Sequence, residues 1–387
     1  MKKKVLICAN RMECGGTEVV VLSYIKQLIQ CGADVTLMLL EKKGVWLNKV
    51  PDTIKVIEYP GPRTIKEVLL SNHSILDFFR ILFDCFLVKI GKKNSLDLLI
   101  SYVKPNETQY DLALDINGYG YLLTPYIAKK VQASQKATWI HDETVGWVTY
   151  INQFLPEYNK IICVSHSVEA EMEKFAPEYK EKLQVIYNPI DVQEIVKKSK
   201  EESEAIFQKN KFNILTVARI HPQKGILKII EIAEKLIEKD VDFVWNIIGD
   251  GELLNEFRQQ VKEYGIDDKV IFWGRKNNPY PYIRDCNLYV QPSLHEGFGL
   301  TVLEARILNK IIVATDLPCF REQITNGVNG FLVPMDVEVF ADKIKEIYQN
   351  FEEVELQLDL SKNRVDYENE FEKILSMLNS METNYES

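Results

Sequence analysis

Residues 293–305 read SLHEGFGLTVLEA and hold Glu296 and Glu304 eight positions apart, with Gly297, Phe298 and Gly299 between them. The run follows an apolar segment and opens into a helical pattern. A helix starting near Leu300 would aim the amides of Gly299, Leu300 and Thr301 at an anion. Gly297 and Gly299, having no side chains, let the backbone approach that anion closely. A diphosphate meets the description. Glu304, one turn into the helix, would accept hydrogen bonds from sugar hydroxyls beside the phosphate, and Glu296 would lie nearer a transferred sugar. Two isolated glutamates are more readily read as a helix-dipole partner and a solvated loop acid. The glycine bracket favours the ligand.

A second run, ILTVARIHPQKG at 214–225, carries Arg219 and Lys224 on the turn between a strand and the next helix. Surface cations are usually just solvated. At a strand's carboxyl end, however, an arginine fork and a lysine point charge together could neutralise a leaving diphosphate without a metal. IIGDGELLNEF has Leu254 where a dinucleotide fingerprint needs its third glycine, so Gly249 and Gly251 are expected to border a nucleotide rather than hold NAD. Asp240-Val241-Asp242 precedes a strand and reads as a solvated turn, not a metal site.

These residues need a scaffold, and the hydrophobic pattern supplies one. Short apolar runs at Val5–Ala9, Val35–Leu39, Leu112–Ile116, Ala137–Ile140, Ile161–Val164 and Val185–Tyr187 alternate with helical spacing, as in parallel βαβ units. Thr17 is the expected N-cap of the first helix. After Asn188-Pro189-Ile190-Asp191 and a charged stretch suited to a solvated helix or linker, the alternation restarts. Strands are expected at Ile214–Val217, Phe243–Ile248, Val270–Trp273, Leu288–Gln291 and Ile311–Ala314, with a helix from about Gly225 to Ile237. The reading is α/β: a Rossmann-like domain over 1–190, another over 191–364, and a tail helix within 365–387 that crosses back. Two doubly wound domains facing a central cleft would put strand carboxyl ends, and the chemistry, in that cleft.

Composition agrees with an ordinary globular enzyme, at 387 residues, 46% hydrophobic and 27% charged. A net charge of -9 argues against a nucleic-acid partner. Seven cysteines, at 8, 14, 31, 85, 163, 286 and 319, show no metal-ligand spacing and read as buried thiols of a reducing compartment. The opening MKKKVLICAN is too short in its apolar part for a signal peptide and reads as a strand; no segment is long and apolar enough to span a membrane.

Gly15-Gly16-Thr17-Glu18, Arg219 with Lys224, Gly249-Asp250-Gly251 and the Glu296-to-Glu304 run together resemble the retaining GT-B glycosyltransferases of family four. The likeness runs over nearly the whole chain and is densest from Ile214 to Pro334; residues 40–135 match nothing assignable. The resemblance implies a hexosyltransferase working without an essential metal or other cofactor, its donor a nucleotide sugar, with UDP the commoner base. It implies that Arg219 and Lys224 bind the donor diphosphate, that Glu304 holds the ribose, and that Glu296 contacts the donor sugar. Phe298, Gly299 and Leu300 would present amides, Gly15 and Gly16 would close over the diphosphate, and His141 would approach the sugar hydroxyls. A lone histidine satisfied by local hydrogen bonds is the plainer reading of His141. The implied acceptor is a glycan or polyprenyl-linked glycan of surface polysaccharide synthesis, the implied location the cytoplasm at the inner face of the membrane.

Residues 63–93 mix Arg63, Lys66, Arg80, Lys89, Lys92 and Lys93 with large apolar side chains. They read either as a peripheral contact with an anionic membrane or as helices packed against the first sheet. Tyr119, Tyr121, Trp147 and Tyr150 could stack on sugars, though loop aromatics more often pack. The competing functions are a non-catalytic GT-B accessory subunit, a nucleotide-sugar epimerase or a phosphorylase, with a nicotinamide oxidoreductase more distant.

Overall fold

The computed structural model describes residues 2–13, 15–70, 75–91, 94–118, 122–363 and 368–379. Cys14, Lys92, Lys93, Tyr119 and Tyr121, singled out above, lie outside the described residues, as do positions 365 and 381 near the ends expected for the tail helix. The chain divides into two compact units, Met1–Ile190 with Tyr367–Ser387, and Asp191–Asp366.

The first unit is built on seven parallel strands, β1 (Lys4–Ala9), β2 (Asp34–Leu39), β3 (Lys55–Glu58), β4 (Gln109–Asp115), β5 (Gln132–Ile140), β6 (Lys160–Cys163) and β7 (Leu183–Val185). Their order is β3-β2-β1-β4-β5-β6-β7. Strands such as β1 and β2 are buried on both faces after their first residue, which is why they read as unbroken apolar runs. β3 was missed because KVIE at the sheet's edge is only half-buried and shows no such run. β7 lies two residues earlier than expected: Tyr187 leaves the ladder and donates its amide to Glu370 Oε2 at 2.8 Å. Glu370 sits on the last helix, Glu368–Asn379, whose Phe371 ring meets Tyr24 at 6.4 Å.

The first helix, Gly16–Gln30, starts before Thr17; Gly15 in extended conformation is its N-cap, and no side chain caps it. Thr17 therefore falls inside the first turn, correcting the expected cap. Cys8, Cys163, Cys286 and Cys319 are buried, whereas Cys31 is exposed and Cys85 half-buried, so the buried-thiol reading fails at those two.

The second unit has six parallel strands, β8 (Phe212–Val217), β9 (Phe243–Ile248), β10 (Val270–Gly274), β11 (Leu288–Gln291), β12 (Ile311–Thr315) and β13 (Phe331–Val333). Their order is β10-β9-β8-β11-β12-β13, the doubly wound pattern. Alternate residues feed two cores. Ile214, Trp245, Val290 and Val313 pack with Ile229 and Phe340 of the helices Ile226–Glu238 and Val337–Gln349; Leu215, Tyr289 and Ile312 pack with Val302 of the helix Leu300–Ile307. Each such side chain fully removed from water stabilises the fold by about 1.5–3 kcal/mol before entropy is counted. Trp245 Nε1 donates to Thr216 Oγ1 at 3.0 Å, and that hydroxyl donates to the Val290 carbonyl at 2.6 Å, so the polar atoms crossing this core are satisfied.

The strand order reverses between β8 and β11, and there the two following loops nearly touch. Gly225 has φ 69°, and a Cβ on it would sit 1.8 Å from the Pro292 carbonyl oxygen. Gly265, with φ 66° and open space around it, isolates the conformational part of that constraint. Gly265→Ala should cost about 1 kcal/mol in urea unfolding, and Gly225→Ala about 3 kcal/mol or more, because backbone must also move. Equal costs would mean the loops are not locked together.

Candidate functional site

The loops after β8 and β11 are stitched side by side. Leu294 donates its amide to the Gln223 carbonyl at 2.8 Å, and Gln223 Nε2 donates to the His295 carbonyl at 3.2 Å. On this platform Lys224 Nζ lies 2.6 Å from Glu296 Oε1, with the side chains 18% and 8% exposed. An ion pair so far from water holds only if its remaining polar atoms are satisfied. Ser293 Oγ donates to the same Glu296 oxygen at 2.8 Å, and Gln291 Nε2 donates to Ser293 Oγ at 2.8 Å. Gln291 Oε1 in turn accepts from the Tyr289 hydroxyl at 3.1 Å and from Thr301 Oγ1 at 3.4 Å. Glu296 is thus fixed by a chain of buried side chains rooted in β11.

Arg219, in the same loop as Lys224, is different. It is exposed, and its guanidinium makes no hydrogen bond or ion pair with any described residue. Gly249 and Gly251 follow β9 and press on this loop. Cβ atoms there would lie 1.7 Å from the Ala218 carbonyl oxygen and 2.2 Å from that of Ile220, so both glycines have a packing reason to be glycine.

Beyond Glu296 the backbone turns through Gly299, φ 82°, into the helix Leu300–Ile307. A Cβ at Gly299 would meet the Phe320 ring at 2.3 Å. The Phe298 carbonyl accepts from Gln323 Nε2, and the Phe298 side chain is buried, which fixes the approach to the helix. The amides of Leu300 and Thr301 open the helix at the positive end of its dipole, while those of Val302 and Leu303 donate to the Gly299 carbonyl at 3.0 and 3.2 Å. One turn in, Glu304 is 8% exposed and accepts a hydrogen bond from the Tyr280 hydroxyl at 3.3 Å. Burial pushes its carboxyl up to about 7. The Asp240-Val241-Asp242 run sits just before β9, at the other end of that strand, where Asp242 pairs with Lys211 at 2.5 Å.

The first unit, taken by itself, gathers Gly15, Gly16 and His141 at the carboxyl edge of its sheet. The Asn10 amide donates to Asn117 Oδ1 at 2.8 Å, tying the loop after β1 to that after β4 where this strand order also reverses. His141 follows β5, and its Nε2 meets the Ile116 carbonyl. A carbonyl only accepts, so Nε2 carries the proton. Burial lowers His141 to about 4, and the ring is neutral at pH 7. Trp147 is half-buried and Tyr150 exposed, in a short helical turn.

Several supporting residues were not anticipated. Gln291 and Ser293 could have been found: each is a polar residue closing an apolar strand next to the glutamate run. Asp115, closing β4, gives a similar signal. It is 1% exposed and accepts from Thr124 Oγ1 at 2.5 Å, Thr138 Oγ1 at 2.9 Å and the Gly118 amide at 3.4 Å. Tyr280 carries no local signal, because only the fold brings it to Glu304.

Residues 197–364 match the family model for glycosyl transferases group 1. A Campylobacter jejuni protein named N-acetylgalactosamine-N,N'-diacetylbacillosaminyl-diphospho-undecaprenol 4-alpha-N-acetylgalactosaminyltransferase is 31% identical over 180 residues, 44% of this chain and 47% of that protein. An Escherichia coli UDP-Gal:alpha-D-GlcNAc-diphosphoundecaprenol alpha-1,3-galactosyltransferase is 29% identical over 181 residues, 43% of this chain and 45% of its own. The chain spans about half the length of the curated relatives it matches. Among solved structures, a variant of S. aureus TarM in complex with fondaparinux, alpha-GlcNAc-glycerol and UDP superposes with TM-score 0.71 at 16% identity, over 97% of this chain and 100% of that one. Anabaena HepE in complex with UDP and glucose gives 0.70 at 17%, over 98% and 100%. These likenesses identify the two-domain GT-B fold.

The Glu304 carboxyl generates a test. Its folded value of about 7 stands above the unfolded 4.5, so the native state keeps a proton the unfolded state has lost. The resulting stabilisation is complete below pH 4.5 and disappears as pH rises through about 7. Glu304→Gln carries no such proton. The stability of wild type minus variant should fall by about 3 kcal/mol between pH 4.5 and alkaline pH. Taking the difference cancels His141, whose lowered value acts in the opposite sense. Denaturant titrations at both limits check this, and a difference that does not change with pH would show Glu304 ionised throughout.

Proposed function

We propose, from the match of residues 197–364 to the glycosyl transferases group 1 model, that this chain is a retaining hexosyltransferase of family four. On this reading it moves a sugar from a UDP-sugar to a glycan on a polyprenyl diphosphate carrier, at the inner face of the membrane, in surface polysaccharide synthesis. The observation that carries the reading is the Lys224–Glu296 pair, held 2.6 Å apart beside the start of the helix Leu300–Ile307. A cation, a carboxylate and a helix amino terminus on adjoining loops are the groups a sugar diphosphate requires. The names of the Campylobacter jejuni and Escherichia coli relatives, both of which include a diphospho-undecaprenol, support the choice of acceptor.

Arg219 and Lys224 take the diphosphate, with the amides of Phe298, Gly299 and Leu300 on its remaining oxygens. Glu304 accepts from the ribose hydroxyls, Glu296 contacts the transferred sugar, and Gly249 and Gly251 border the nucleotide. Two cations and a helix dipole supply the positive charge, so no metal is required. In the first unit, the helix start at Gly15 and Gly16 offers amides to an anion, and neutral His141 offers its ring to sugar hydroxyls.

The acceptor hydroxyl attacks the anomeric carbon on the face the diphosphate leaves. The bond from that carbon to the diphosphate oxygen breaks, the bond to the acceptor oxygen forms, and the hydroxyl proton passes to the departing phosphate. The protein's contribution is position and charge stabilisation. An accessory subunit without activity would have no use for a largely buried cation–carboxylate pair braced by Ser293, and the pair favours catalysis over that reading.

Thermal unfolding in EDTA with UDP-, GDP- and ADP-sugars should show stabilisation by the UDP series, about 2.7 kcal/mol at a hundredfold excess over the dissociation constant. Stabilisation that needs added divalent metal would overturn the metal-free assignment, and silence toward every donor would favour the accessory subunit. Arg219→Ala and Lys224→Ala should each lower turnover roughly 10²-fold. Wild-type turnover in either variant removes that residue from the clamp.

A further inference from the structure

The helix Ile75–Lys89 of the first unit lies against the helices Ile65–Leu70 and Ser95–Ser101. Among its described side chains, Ile81 and Asp84 are buried. Its described side chains turned to water include large apolar ones: Phe78, Phe79, Leu82, Phe83 and Phe86, followed by Ile90 just past its end. Phe79 is 64% exposed, Phe83 60% and Phe86 55%. At 3.6 residues per turn the six side chains fall within an arc of about 140°. Solvent-facing phenylalanines in one stripe are not the scattered apolar residues every surface carries.

Charge completes the description. Arg80 and Lys89 are exposed on the same helix and Lys66 is exposed on the neighbouring helix Ile65–Leu70, in a chain whose net charge is -9. Glu67 is tied to the Arg63 amide at 2.8 Å, and Asp84 faces inward. The stripe offers no hydrogen-bonding side chain, whereas protein interfaces carry about one hydrogen bond per 100–200 Å². A helix of fifteen residues is too short to span a bilayer.

We propose that this face docks on a bilayer rich in anionic phospholipid, the phenylalanine rings entering the acyl boundary and Lys66, Arg80 and Lys89 meeting headgroup phosphates. The inference stands on this helix and the adjoining Lys66 and does not depend on the donor chemistry.

The test is flotation of the full chain with vesicles of phosphatidylcholine alone and of phosphatidylcholine mixed with phosphatidylglycerol. Wild type should float with the mixed vesicles. The triple variant Phe79→Ser, Phe83→Ser, Phe86→Ser should weaken partitioning on the order of a hundredfold, and Arg80→Gln with Lys89→Gln roughly thirtyfold. Both variants should keep the wild-type melting temperature and donor-induced shift, which separates this inference from the donor assignment. Wild type that ignores both vesicles, or a triple variant that floats as well as wild type, overturns the proposal. A wild-type dimer that ignores vesicles and that the triple variant converts to monomer assigns the face to a second copy, which also overturns it.

Discussion

A lysine and a glutamate side chain, 2.6 Å apart and both largely out of water, set the terms for the second unit. Attraction between such charges repays their desolvation only when the remaining polar atoms find partners. Ser293 and Gln291 follow from that need, as do the Tyr289 hydroxyl and Thr301, and they run back into β11, where a strand buried on both faces would otherwise be apolar. The pair also requires two loops from different strands to share one surface. That contact leaves no room for a Cβ at Gly225, and the neighbouring loop leaves none at Gly249 or Gly251. The glycines near the site thus serve the ion pair through the backbone.

The arrangement divides the work between two cations in one loop. Lys224 is already held, so it loses little freedom on meeting an anion, but its charge is shared with Glu296. Arg219 keeps its full charge and its freedom, and it must be ordered by whatever it binds. On the proposed reading, an incoming anion meets one braced and one exposed cation beside amides that cost no reorganisation. Fixed dipoles of this kind are what charge stabilisation in a transition state draws on.

Much of this was legible in the sequence, for reasons that differ by element. β1, β2, β8 and β9 are buried on both faces and print as apolar runs; β3 and β13 are short edge strands and print as almost nothing. Glu296, Glu304, Arg219 and Lys224 stood out because glycines and strand ends framed them. Tyr280 could not, since its meeting with Glu304 depends on tertiary packing. The first helix shows a local rule overridden: a threonine beside two glycines looks like a cap, yet the chain enters the helix two residues sooner through an extended Gly15. The spacing of Gly249 and Gly251 was visible, but a ligand is only one reason for a bare backbone, and here close packing on Ala218 and Ile220 is another.

The two sheets share an order through their first six strands, and comparing them shows where one unit departs from what the fold needs. In the second unit the crossover from β10 to its place across the sheet at β11 is made in residues 275–287, with one short helix, Tyr280–Asp285. The matching crossover in the first unit, from β3 to β4, takes residues 59–108 and includes the helices Ile65–Leu70, Ile75–Lys89 and Ser95–Ser101. A thirteen-residue connection suffices for the topology, so most of the longer one is surplus to sheet closure. Surplus chain that only filled space would be expected to bury its large side chains, since ordering a residue costs about 1–2 kcal/mol of backbone entropy. Instead the middle helix keeps Ile81 inward and leaves Phe79, Phe83 and Phe86 in water. Neither the sheet nor the core explains that choice, which is the ground for proposing that this face meets an apolar medium bordered by negative charge.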